Sequence, residues 1–334
     1  MRERRDMTGE RRRERSTERS RRRLAVLGTG VMCVIAGCAT GCATVERNSV
    51  TGSMAPISVQ SDVVYAHRDA QDLRADIYSP AGQGPFPAVL VVHGGSWRRG
   101  NKRLMASVAE RLARRGYVAV SIDYRLAPAY RFPTQLYDCQ DAARWMRANA
   151  ITLHIDPHRL GGFGYSAGAH LVALLATTDA ASGWDDTNYT TAEDTRLQAA
   201  VLGAAPIDLR RFKANRIFRN FLGGNASELP ELYAAASPIT FVTPDDPPMF
   251  VYQGASDWLV DPSQSRLMVD ALDRAGVPVQ YYETTGGHFT TFLFDSESVR
   301  RAIDFLDCWL RPGEAAASIT AAMPQAMPAL PGAL

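Results

Sequence analysis

Ser166 stands in Gly164-Tyr165-Ser166-Ala167-Gly168, a G-x-S-x-G pentapeptide. A serine hydroxyl is a weak nucleophile at neutral pH. It becomes reactive when a base takes its proton and a carboxylate orients that base. A sharp strand-to-helix turn presents such a serine, and glycines flank it because a Cβ there would meet the adjoining strand or helix. Residues 159–163 read as the strand and 169–177 as the helix, which is the context the motif requires. At the start of that helix the Ala167 N–H can meet a developing oxyanion. Alone, the pentapeptide fits a glycine-rich turn with an incidental serine equally well.

Its partners decide between the two readings. Beyond Ser166 the chain has two histidines, His170 and His288. His170 lies four residues along the elbow helix and reads as a packing residue. His288, in Gly286-Gly287-His288-Phe289, follows a strand by a short glycine turn and is the candidate base. The acid belongs after the strand at 249–253, where Asp257 and Asp261 are available. Asp257 sits at the mouth of that strand. Asp261, ahead of Pro262, reads instead as a cap for the helix at 263–275. The second source of oxyanion donors is His93-Gly94-Gly95, where Gly94 and Gly95 let backbone amides approach a substrate and His93 braces the loop.

These residues need a scaffold that brings strand ends together. Residues 62–67 and 72–79 read as strands, and 86–92 is an unbroken apolar run suited to a strand covered on both faces. Further strands are expected at 117–123, 197–203, 249–253 and 277–283. Helices are expected at 104–115, 133–148, 263–275 and 299–310. That alternation predicts one doubly wound, mostly parallel α/β sheet flanked by helices, in a single catalytic domain over 62–311. Residues 205–246 break the rhythm with short helical pieces at 216–222 and 229–236 and form a candidate lid. Residues 312–334, rich in Ala, Pro and Met, read as a disordered tail.

His93-Gly94-Gly95-Ser96-Trp97, Asp123-Tyr124-Arg125-Leu126-Ala127-Pro128, the Ser166 pentapeptide, Asp257 after Gly254, and Gly287-His288 resemble, in this order, the bacterial esterase/lipase branch of the α/β-hydrolases. That branch includes hormone-sensitive-lipase-like carboxylesterases, feruloyl and acetylxylan esterases, and arylformamidases. The resemblance covers about 62–310. It implies a Ser166–His288–Asp257 triad, oxyanion amides from Gly94, Gly95 and Ala167, and carboxylic-ester hydrolysis with no metal or cofactor. Ser96 replaces a third glycine, so the H-G-G-x-W form resembles the arylformamidase and feruloyl-esterase members more closely. An amide or formamide hydrolase is therefore the alternative, and a catalytically silent binding member is a further one. Ala129 stands where the lipase-like members carry an acidic residue. The chain before 62 is too short for their N-terminal helical cap, so any cover comes from 205–246 and short acyl esters are the expected substrates. Trp97, Tyr165, Trp258 and Phe289 are equally suited to pocket or core, and 123–125 to a buried network beneath the site.

The net charge of +2 conceals two different segments. Up to Gly37 there are 11 Arg and 5 acidic residues, so the remainder carries 26 basic and 30 acidic side chains, and no basic face argues for nucleic acid. Arg21-Arg22-Arg23 followed by the apolar run 24–35 reads as an export signal, too short to span a bilayer comfortably. It ends in Ile35-Ala36-Gly37-Cys38, which resembles a bacterial lipobox. The expected mature chain starts at lipidated Cys38, tethered by 38–61 to a cell-envelope membrane, and a small-molecule ester is its expected substrate partner. Cys139 and Cys308 are candidates for a pair or for separate buried thiols. Intact-mass measurement on membrane fractions should give a chain beginning at acylated Cys38; retention of residues before it would exclude this processing.

Overall fold

The computed structural model describes residues 55–179, 182–184, 194–311 and 313. The expected signal peptide, Cys38, most of the tether and nearly all of the tail lie outside the described residues. The chain runs β1 (Ile57–Arg68), β2 (Gln71–Pro80), β3 (Phe86–Val92), α1 (Ala106–Arg114), β4 (Val118–Ile122), α2 (Thr134–Ala148), α3 (Ala150–Leu153), β5 (Ile155–Tyr165) and α4 (Ala167–Thr177). It continues through β6 (Ala199–Gly203), α5 (Arg216–Leu222), α6 (Pro230–Ala235), β7 (Met249–Gly254), α7 (Ser263–Ala275), β8 (Val279–Thr284), α8 (His288–Phe294) and α9 (Ser296–Leu310).

The strands form one eight-stranded sheet in the order β1-β2-β4-β3-β5-β6-β7-β8. β2 pairs antiparallel to both its neighbours, and every pairing from β4 to β8 is parallel. Side chains alternate across the sheet. Ala88, Leu90 and Val92 of β3 join the core beneath α2, α4 and α7. Val89 and Val91 join the core beneath α1 and α9. A strand buried on both faces has no polar face, which is why 86–92 reads as continuous apolar sequence.

Register places the functional ends together. Val92 pairs with Gly164, Tyr165 with Gly203, Gly203 with Tyr252, and Gly254 with Thr284. The segments after β3, β5, β7 and β8 therefore emerge on one rim of the sheet. β1 begins at the opposite rim, where Ile57 pairs with Pro80. Arg311, just after α9, also reaches that far rim, donating to the Arg115 carbonyl ahead of β4. Ile57 lies inside the span read as tether, so the domain starts earlier than expected. Residues 57–62 are largely solvent-facing and held by backbone pairing with β2, so they lack an alternating apolar signal.

Residues 205–246 are packed into the domain. Asn215 caps α5 by accepting from the Ile217 and Phe218 amides, and Gly223 ends it in a left-handed conformation. Phe221 stacks on Trp97, ring centroids 4.2 Å apart, and meets Phe132 edge-on at 5.6 Å. Gln264 of α7 accepts from both the Ile207 and Asp208 amides at 2.8 Å. The motif Asp123-Tyr124-Arg125 forms a buried support, as expected. Arg125 bridges Asp138 and Asp69, Lys102 binds Asp123, and the Tyr124 hydroxyl donates to the His93 carbonyl. Cys139 is a buried free thiol, so the pair with Cys308 does not form. Because Phe221 joins this segment to the main core, Phe221→Ala should lower the stability of the whole domain by about 3–4 kcal/mol in one cooperative transition. An early, separate melting of part of the structure in calorimetry would contradict that.

Candidate active site

β5 ends at Tyr165 and α4 starts at Ala167, leaving Ser166 alone to make the turn, with φ 55° and ψ −123°. A non-glycine residue held there is strained, and the surroundings must over-determine it. The Ser166 N–H donates to the Gly203 carbonyl at 2.7 Å, and its carbonyl accepts from the His170 N–H at 3.0 Å. A Cβ on Gly164 would stand 2.4 Å from the Gly168 oxygen, and one on Gly168 would stand 2.1 Å from the Val92 oxygen. Both contacts are with backbone, so neither position admits a side chain.

The three side chains named from the sequence meet. Ser166 Oγ lies 2.9 Å from His288 Nε2, and His288 Nδ1 lies 2.7 Å from Asp257 Oδ2. The partners assign the tautomer: Nδ1–H donates to the carboxylate, and Nε2 accepts from the serine hydroxyl. All three residues are buried. Asp257 Oδ1 accepts from the Leu259 and Val260 amides, each at 2.9 Å, and Oδ2 also accepts from Gln253 Nε2 at 2.8 Å. Four donors thus hold this carboxylate in place. Asp261 instead accepts from the Ser263 N–H at 2.9 Å at the start of α7, the capping role expected of it.

Gly94 leaves β3 directly against the elbow. Its Cβ would stand 2.9 Å from the Tyr165 oxygen and 3.2 Å from Ser166 Cβ. The N–H groups of Gly94 and Gly95 have no hydrogen-bond partner within the described protein. Ala167 is the first residue of α4, where an N–H has no intrahelical acceptor. Backbone donors from two elements therefore border the serine. His93 is fully buried, its Nδ1 lies 2.7 Å from the Gly94 carbonyl, and its ring stacks on Tyr124 at 4.3 Å. Burial lowers its pKa, favouring the neutral ring.

Two supporting roles escaped the sequence reading, that of Gln253 and that of Tyr165. Gln253 is fully buried on β7 and accepts from the Ser265 hydroxyl at 2.8 Å while donating to Asp257. The signal available was a glutamine ending an otherwise apolar strand, which demands a buried partner. Tyr165, read from the sequence only as a pocket or core aromatic, donates its hydroxyl to the His288 carbonyl at 2.6 Å and so ties the elbow to α8. Trp97 and Tyr165 are core residues, whereas Trp258 and Phe289 are exposed. Among the described residues no group of three or more His, Cys, Asp or Glu side chains is placed to hold a metal, and no helix is long and apolar enough to cross a membrane.

The sheet order and the strand-end site define an α/β-hydrolase fold. Residues 75–272 match the BD-FAE family, and the chain belongs to that family. Similar proteins include Esterase LipC of Mycobacterium tuberculosis, 33% identical over 61% of this chain and 53% of that one. The probable carboxylic ester hydrolase LipM of the same organism is 32% identical over 66% of this chain and 52% of that one. The chain thus spans about half the length of these relatives. A truncated carbohydrate esterase from gut microbiota shares the fold, with a TM-score of 0.70 and 24% identity over 77% of this chain and 98% of that one.

His170 links three elements and yields a pH prediction. It is fully buried, with Nδ1 accepting from the Trp97 indole N–H at 3.2 Å and Nε2 donating to the Ala236 carbonyl at 2.7 Å. Burial pushes its pKa from 6.5 down to about 4. Between those values the unfolded chain binds a proton that the folded chain excludes, so stability falls as pH drops through this window, by roughly 3 kcal/mol. Urea unfolding across this range should show a shallower acid limb for His170→Gln; an equally steep limb would exclude His170 as the cause.

Proposed function

We propose that this chain is a serine hydrolase of carboxylic esters acting through an acyl-enzyme. One observation carries the reading: the continuous Ser166–His288–Asp257 hydrogen-bond chain beside unpaired backbone donors. Relatives named as esterases support the same class. In the proposed reaction Ser166 Oγ attacks the ester carbonyl carbon as His288 Nε2 takes its proton. Ala167, with Gly94 and Gly95, donates hydrogen bonds to the oxyanion; one such donor is typically worth about 3–4 kcal/mol. Asp257 stabilises the imidazolium and fixes its orientation. The ester C–O bond then breaks, and His288 returns the proton to the departing alcohol oxygen. A water, deprotonated by the same nitrogen, attacks the acyl-enzyme and frees Ser166.

The solid packing of 205–246, with Phe221 against Trp97, favours short acyl groups. The H-G-G-x-W form at 93–97 keeps a formamide-hydrolysing alternative in view. Anchoring through Cys38 in the cell envelope is proposed on the leader sequence. Ser166→Ala should lower kcat on p-nitrophenyl acetate by about 10⁴- to 10⁶-fold, and Asp257→Asn, which reverses the imidazole tautomer, by roughly 10⁴-fold. Undiminished turnover in Ser166→Ala would end the proposal. Faster wild-type hydrolysis of an aryl formamide than of the matching acetate would favour the alternative.

A further inference from the structure

Eight large apolar side chains stand out as exposed among the described residues, and four of them flank two residues of the proposed triad. Trp258 directly follows Asp257 and Phe289 directly follows His288, while Leu293 and Phe294 end the same α8 helix. Trp258 and Phe294 are each 78% exposed, Leu293 63% and Phe289 53%. The two loops adjoin, because a Cβ on Gly287 would stand 3.3 Å from the Ser256 oxygen. Phe289 lies edge-on to the His288 ring at 5.5 Å. Phe289 and Leu293 are four residues apart on α8 and share one helix face. Apolar area held in water at one place marks a contact surface.

The direction of proton transfer says what would occupy it. His288 Nε2 protonates the departing oxygen, so the alcohol leaves past the imidazole. The acyl carbonyl meanwhile faces the amides of Ala167, Gly94 and Gly95. We infer that Trp258 and Phe289, with Leu293 on the same helix face as Phe289, form an apolar rim that binds the alcohol part of the ester and selects alcohols bearing an aromatic ring or a long alkyl group. Leu293 among the aromatics adds aliphatic area suited to hydrocarbon. This inference rests on the serine-hydrolase reading above.

The test uses acetate esters of ethanol, hexan-1-ol and 2-phenylethanol, whose similar acidities keep the chemistry constant. In Trp258→Ser/Phe289→Ser the kcat/KM ratio of 2-phenylethyl to ethyl acetate should fall about 10-fold. The ratio of ethyl butyrate to ethyl acetate should stay put. Phe289→Ser alone, an exposed position, supplies the same readout if the double variant does not fold. An unchanged alcohol ratio, or a change that follows acyl length instead, overturns the rim. So does a defect seen only when the ester is presented in phosphatidylcholine vesicles, which would assign the patch to lipid-surface docking. A wild type active on ethyl acetate but indifferent to the alcohol sinks the rim alone, whereas one inactive on every ester sinks the parent reading.

Discussion

The elbow turn must pass within contact distance of its own helix and of β3 at once, and the rest of the site depends on that crowding. Gly168 lies against the Val92 carbonyl and Gly164 against the first turn of α4. With no room for side chains there, Ser166 takes up the conformational strain, held by bonds to Gly203 and His170. A strained residue fixed from several sides has little freedom to reorient. Its hydroxyl already meets the imidazole before any substrate arrives. The same closeness brings Gly94 against the serine, so the loop after β3 and the Ser166 turn share one rigid reference frame.

Around this centre, bracing comes from residues that do no chemistry. Gln253 and Ser265 steady Asp257, and Tyr165 ties the elbow to the backbone of His288. His170 couples the loop after β3, through Trp97, to the Ala236 carbonyl of the packed segment. Phe221 closes the same assembly against Trp97. The segment expected as a lid is thus packed against the loop after β3.

The legible parts of the chain were those whose cause is local. The run 86–92 betrays a doubly covered strand, and Ser263–Ala275 carries its own start and stop in Asp261, Pro262 and Gly276. Ser166, Asp257 and His288 could be named together because each follows a strand, and strand ends in a parallel sheet converge. Helix α8 was missed: His-Phe-Thr-Thr-Phe-Leu-Phe is β-branched and aromatic, and tertiary contact overrides its weak propensity. The Trp97–Phe221 stack joins residues far apart in sequence, so no local pattern announces it. Cys139 illustrates the reverse case: two helical cysteines invite a pairing, yet Cys139 is a buried free thiol.

The two ends of the described domain leave it from the same rim. Ile57 opens β1 beside Pro80, and Arg311 lies against Arg115 ahead of β4, both opposite the rim that carries Ser166. A support resin or a fused partner joined at Ile57 or at Arg311 is therefore attached on the rim opposite Ser166.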